Sequence, residues 1–161
     1  IDPHVPMSRK LPALVKTAAY YATWYPSRYL AVPSFLKYGE FGRLAKHLRF
    51  VDRMSRKLAR KTFHAMVRFG PRLEQRQMVL FRIVDIGAEL FAMATVCARA
   101  EMLRKKGNQE AVELADLFCT DAARRVHATF QRVFDNDDVK TYGVAKAVLS
   151  GKHTWMEKGM A

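Results

Sequence analysis

The sequence predicts an all-α protein: an antiparallel helical bundle of three long helices, with shorter helices at its N- and C-terminal ends. Three observations predict it. The six prolines stand at 3, 6, 12, 26, 33 and 71, and most of the eight glycines fall at turn-like positions, so long stretches run without a breaker. Those stretches repeat apolar residues at spacings of three and four, the helical period, and none alternates with the period of a strand. The chain has 161 residues, half of them hydrophobic. That length suits one domain, which can bury roughly 70% of its unfolded surface without disulfides or metals.

The elements follow in order. The run Ile1–Pro6 before Met7 reads as vector-derived and is set apart from the fold. Residues 7–42 form an N-terminal helix over 8–25, with Ser8 as cap and Pro12 in its first turns, followed by an extended, aromatic-rich linker (Tyr29, Phe35, Tyr38, Phe41) lying against the body. Residues 43–161 are the bundle. Its first helix, 43–69, is stopped by Gly70-Pro71 and has a narrow stripe of Leu44, Leu48, Val51, Ser55, Leu58, Thr62 and Met66. The second, 72–106, is apolar nearly all round from Met78 to Ala98, which marks a central helix. Its small residues, Gly87 among them, admit close neighbours, and Arg104-Lys105-Lys106-Gly107 suits a C-terminus. The third, 108–134, begins at Asn108 and ends at the polar stop Asp135-Asn136-Asp137-Asp138. A short helix over 139–150 and a tail whose Trp155 packs on the body complete the reading.

The charge is unevenly placed. The chain carries 28 Lys+Arg against 15 Asp+Glu, a net charge of +13. Helix 43–69 alone holds nine cations and a single acid, Asp52, whereas seven cations and eight acids balance over residues 107–161. On a helical projection the cations lie opposite the apolar stripe, with Phe50, Phe63 and Val67 in or beside them. Such a face is solvated, or meets an anionic membrane, or neutralises phosphates of nucleic acid in a salt-sensitive way. No recognised nucleic-acid module accompanies it, so a free-standing basic nucleic-acid-binding protein is the alternative to the surface-docking reading. Arg49, Arg53, Arg56, Lys57, Arg60 and Lys61 are the candidate contacts with an anionic surface.

Catalytic, cofactor-binding and metal-ligating residues are not assigned. Phosphate-binding glycine motifs and G-x-S-x-G are absent from the sequence. The scattered His4, His47, His64, His127 and His153 give no zinc spacing. Asp85 and Glu89 lie four apart on an apolar helix and are expected to pair with Arg82 or an arginine of a neighbouring helix. Cys97 and Cys119 are expected to be buried, reduced thiols. Tyr20, Tyr21, Trp24, Tyr25 and Tyr29 are expected to pack rather than stack on bases. The longest apolar run, Ile83–Ala98, contains Asp85 and Glu89 and makes a poor membrane span.

Residues 38–103, and above all "VDIGAELFAM" at Val84–Met93, resemble the C-terminal helical region of large bacterial acyl-CoA dehydrogenases, similar to the mitochondrial very-long-chain enzymes. Leu114-Ala115-Asp116-Leu117-Phe118-Cys119 fits the helix that follows there, and the likeness extends over roughly 8–160. The resemblance implies an accessory all-α domain, silent alone, of an enzyme of fatty-acid β-oxidation. That enzyme uses FAD and a glutamate base to remove the pro-R α-hydrogen of a fatty acyl-CoA. The parts that carry flavin, substrate and base precede this region, so no cofactor is assigned to these residues. The implied partners are the catalytic domains, an anionic membrane surface reached through a basic amphipathic segment (helix 43–69 as counterpart), and a second subunit in a homodimer. The implied location is cytoplasmic, peripheral to the inner membrane. A further expectation is that an acidic surface of the catalytic domains covers the basic face.

Overall fold

The computed structural model describes residues 7–30 and 38–156, with side chains from residue 11 onward. The vector-derived reading of Ile1–Pro6 and the placement of Phe35 lie outside the described residues, and Ser8 does not precede the first helix as a cap should, since that helix already begins at Met7. Five α-helices follow in order: α1 (Met7–Ser27), α2 (Ala45–Phe69), α3 (Gln77–Lys105), α4 (Glu110–Arg132) and α5 (Asp138–Leu149). Among the described residues there is no strand.

The breakers act largely as their chemistry dictates. Gly70 ends α2 at φ +50°, a conformation that costs a glycine little. Pro71 then opens a 3-10 turn, Gly70–Gln75, that delays α3 to Gln77, five residues later than the spacing predicts. Asn108 accepts the Ala111 N–H at 3.2 Å, the capping bond expected at the start of α4. The aromatic linker is not extended throughout: Gly39–Leu44 is a 3-10 helix leading into α2, with Tyr38 at φ 69° and Gly42 at φ 49° bending the chain. Helix α1 runs through Pro26 to Ser27, because a proline in the last turn removes only one hydrogen bond.

The body is α2, α3 and α4 packed around Leu44, Leu48, Ile86, Met93, Val126 and Val133. Helix α3 lies between α2 and α4. At Gly87 a Cβ would sit 3.8 Å from Leu58 Cδ2, so α2 and α3 meet closely there. The buried face of α2 is rotated from the predicted stripe. Phe50, Met54 and Ala65 are buried, while Ser55 and Met66 are exposed. The other edge of α2 receives α1, whose Tyr21, Trp24 and Tyr25 stack around Phe63 at centroid distances of 4.9, 5.9 and 5.3 Å. Tyr20 and Tyr29 stay exposed, and Trp155 does not pack on the body but stands 68% exposed.

Candidate docking surfaces

The basic helix comes first. Of its six candidate contacts, Arg53 is exposed and the other five are half-buried. Lys57 Nζ stands 4.5 Å over the Phe130 ring in the last turn of α4, and Lys61 Nζ stands 4.9 Å over Phe134, just beyond the end of that helix. Arg60 lies 4.3 Å over Tyr29 and donates to the Arg28 carbonyl at 2.6 Å. Arg56 pairs with Asp52 at 2.9 Å. The Arg49 Nε is buried without a hydrogen-bond partner among the described residues. Partial burial, then the nearby Lys61 and Arg60 charges, hold the Lys57 ammonium below its ordinary value. Positive charge is therefore crowded here. Yet the face is not the open cationic plane that the projection suggests, because long cationic stems cover aromatic rings. Of the apolar residues placed beside it, Phe50 is buried against His127, Phe63 lies under α1, and Val67 alone is exposed.

The start of α2 is tied to α4 by a cluster the sequence did not announce. The Asp116 carboxylate meets His47 Nε2 at 2.6 Å, Lys46 Nζ at 2.7 Å and Arg43 Nη2 at 3.0 Å. The bonds from Lys46 and His47 hold its pKa at about 2. The overlooked signal is an acid one position after Ala115 within the apolar face of α4. Glu89 pairs with Arg125 of α4 through two bonds of 2.6 and 2.9 Å, the neighbouring-helix pairing expected. Arg82 turns instead to Asp138, at 2.6 Å through each guanidinium nitrogen, and anchors the start of α5. Asp85 has no ion pair among the described residues.

The third surface is apolar. Helix α3 is apolar nearly all round, as expected of a central helix, but among the described residues α2 and α4 are the only α-helices that pack along it, with the two 3-10 segments touching its ends. Phe81, Val84, Ala88, Phe91, Thr95 and Met102 repeat at helical spacing on its uncovered side, with Phe91 73% exposed. Leu114, Leu117 and Phe118 continue the surface onto α4. Between the two helices runs an open groove of about 630 Å³ lined by Asp85, Ala88, Ala92, Phe118 and Ala128, with the Glu89–Arg125 pair at its side. Helix α5 is bare too: Val139, Tyr142, Val144 and Leu149 are all exposed. These exposed apolar side chains are neighbours along packed helices rather than scattered singly.

A family model, the ACAD9/ACADV C-terminal domain, matches residues 43–154. The chain belongs to that family. Over 163 aligned residues it is 43% identical to proteins named probable acyl-CoA dehydrogenase FadE10 from Mycobacterium bovis and from Mycobacterium tuberculosis. The match takes in 99% of this chain and 25% of each relative. The chain thus spans about a quarter of the length of the curated relatives it matches. No solved structure matches it. For this member of the ACAD9/ACADV C-terminal family, the matched region opens just before α2 and takes in the whole body. Among the described residues, no helix is long and apolar enough to cross a membrane, and no group of three or more His, Cys, Asp or Glu is placed to hold a metal.

The residues present do not fit the flavin implied by the dehydrogenase relatives. Arg125, the one cation lining the α3–α4 groove, is already bonded twice to Glu89, and Asp85 beside it opposes a pyrophosphate. No chemical step is derived from this chain.

Proposed function

We propose that this domain completes an FAD-dependent acyl-CoA dehydrogenase of fatty-acid β-oxidation, is catalytically silent by itself, and docks on the catalytic domains through the uncovered face of α3 and α4. The observation that carries this reading is the apolar stripe along α3, in a chain that aligns with a quarter of its relatives. A helix apolar on all sides is stable in water only when neighbours enclose it, and the neighbours missing here are expected in the rest of the enzyme. Expression of the longer protein tests the parentage. A yellow protein that reduces an electron acceptor with a fatty acyl-CoA is expected, and a colourless, inactive one contradicts it.

A second contact, with an anionic membrane surface, is supported by the crowded cations of α2. The acid-free helix α1 adds to it: its residues 11–20 are exposed and carry Leu11, Leu14, Val15 and Lys16 on no neighbour. Within α2, the exposed Arg53, its guanidinium 5.9 Å over the Phe50 ring, is best placed to meet phosphates, while Arg49, Arg56, Lys57, Arg60 and Lys61 reach them from half-buried positions. Co-sedimentation with anionic but not neutral vesicles is the expected result. Equal binding to both, or to neither, contradicts this contact.

A further inference from the structure

We propose that Cys97 and Cys119 form an oxidisable dithiol, which a hydroperoxide converts into a disulfide that bolts α3 to α4. The two Sγ atoms lie 3.6 Å apart across the α3–α4 seam, and both side chains are fully buried. A disulfide has its sulfurs about 2.05 Å apart. Closing the remaining gap of roughly 1.5 Å takes rotation of the two side chains about χ1 together with an approach of the two helices. Among the described residues, the other hydrogen-bonding neighbour of the pair is the Met93 carbonyl, 3.8 Å from Cys119 Sγ. Neither sulfur is therefore held away from the other by a stronger bond.

The pair is also asymmetric. The hydrogen bond from Cys119 holds the Cys97 thiol below its ordinary value, whereas that shared bond and burial push Cys119 up. The Asp116 carboxylate, three residues before Cys119, opposes ionisation of both. Cys97 thus loses its proton first. Its thiolate attacks an oxygen of the hydroperoxide, the O–O bond breaks, and an alcohol (or water, from hydrogen peroxide) leaves with one proton. Cys97 becomes a sulfenic acid. Cys119 Sγ then attacks that sulfur, the S–O bond breaks, and water leaves with the second proton as the S–S bond forms. The two thiols together lose two electrons, and the peroxide gains two.

Burial sets the kinetics and the selectivity. A bulky oxidant such as oxidised glutathione does not reach either sulfur in the closed seam, and a small peroxide reaches Cys97 when the seam opens locally. The bond would close the loop from Cys97 to Cys119 through the Gly107 turn, so it fastens the helix pair that presents the apolar face. The proposal does not depend on what that face meets.

The test exposes the 161-residue chain to hydrogen peroxide with and without a mild concentration of urea, then denatures, alkylates and digests it. Expected are one joined peptide pair containing Cys97 and Cys119, an intact mass lower by two hydrogens, faster reaction in urea, and a melting temperature raised by about 5–10 °C. A thiol reductant should reverse all of these. Cys97→Ala and Cys119→Ala, each checked for its helical circular dichroism, should give no joined peptides. Where alanine at one position prevents folding, serine at the same position serves as the control. Persistently free thiols, separate sulfinic acids on each cysteine, a joined pair seen only after full unfolding, or a lowered melting temperature would overturn the proposal.

Discussion

Of the three long helices of the body, α2 is the most charged and α3 the most apolar, and folding reverses what each leaves available. Most of the cations of α2 lie over Phe130, Phe134 and Tyr29, or pair with Asp52 and Asp116. Helix α3 buries Ile86, Leu90, Met93 and Cys97, yet leaves Phe81, Val84 and Phe91 in water. The difference teaches that residue type does not measure availability. A long cationic stem contributes apolar contact to whatever ring lies under it, whereas an apolar side chain without a neighbour contributes nothing until one arrives.

The comparison is broken most forcefully by truncating the two sides of α3. Met93→Ala removes a fully buried side chain and is expected to cost about 3 kcal/mol, whereas Phe91→Ala on the bare side changes the stability of the chain by less than about 0.5 kcal/mol. Urea unfolding of both variants measures the contrast, and equal losses would mean that Phe91 is covered within the chain.

The covered side of α2 gives the next largest effect. Asp116→Asn removes the carboxylate that gathers Arg43, Lys46 and His47, and a loss of about 2 kcal/mol at neutral pH is expected. The sign of the pH dependence follows from the depressed value of about 2 against an ordinary 3.8. The contribution is fully present above pH 4 and is lost as pH falls from about 4 towards 2. Stability measured across that window should fall more steeply in the wild-type protein than in Asp116→Asn.

Smaller effects separate the cations of α2. Lys57→Ala and Lys61→Ala are expected to cost about 0.5–1 kcal/mol each, since each lies over a ring at or just beyond the end of α4. Arg53→Ala, in the exposed position, should fall within about 0.5 kcal/mol of wild type. The smallest change is a gain. Gly87→Ala places a methyl group at ordinary contact distance, 3.8 Å from Leu58, and should stabilise the chain by about 0.5 kcal/mol, read as a small rise in melting temperature.

The helices were legible in the sequence because breakers and periodicity are local. Gly70, Gly107 and Asn108 lie where helices end or begin, and each acts within a few residues of itself. The face that α2 buries was less legible, because Leu44, Leu48 and Leu58 satisfy the period equally well for a stripe centred elsewhere. Only the arrival of α1 on Phe63 and of α4 on Phe50 decides the rotation. The same holds for the surfaces. Nothing local tells Lys57 that Phe130 will lie beneath it, seventy-three residues later. Nor does anything local tell Trp155 that it will stand exposed, with no groove among the described residues receiving it. The α3 surface was half legible: an all-round apolar helix announces that it needs neighbours, but not that two of its sides find them within this chain.

The central claim is that the bare side of α3 and α4 is where the rest of the enzyme sits. The most direct measurement is titration calorimetry of the 161-residue chain against the separately expressed remainder of the Mycobacterium tuberculosis relative, the part this chain does not match, for wild type and for Phe91→Arg. The account predicts binding by the wild-type chain, and loss of that binding in Phe91→Arg with an unchanged melting temperature. Binding that survives Phe91→Arg and is abolished instead by Arg53→Glu would contradict it.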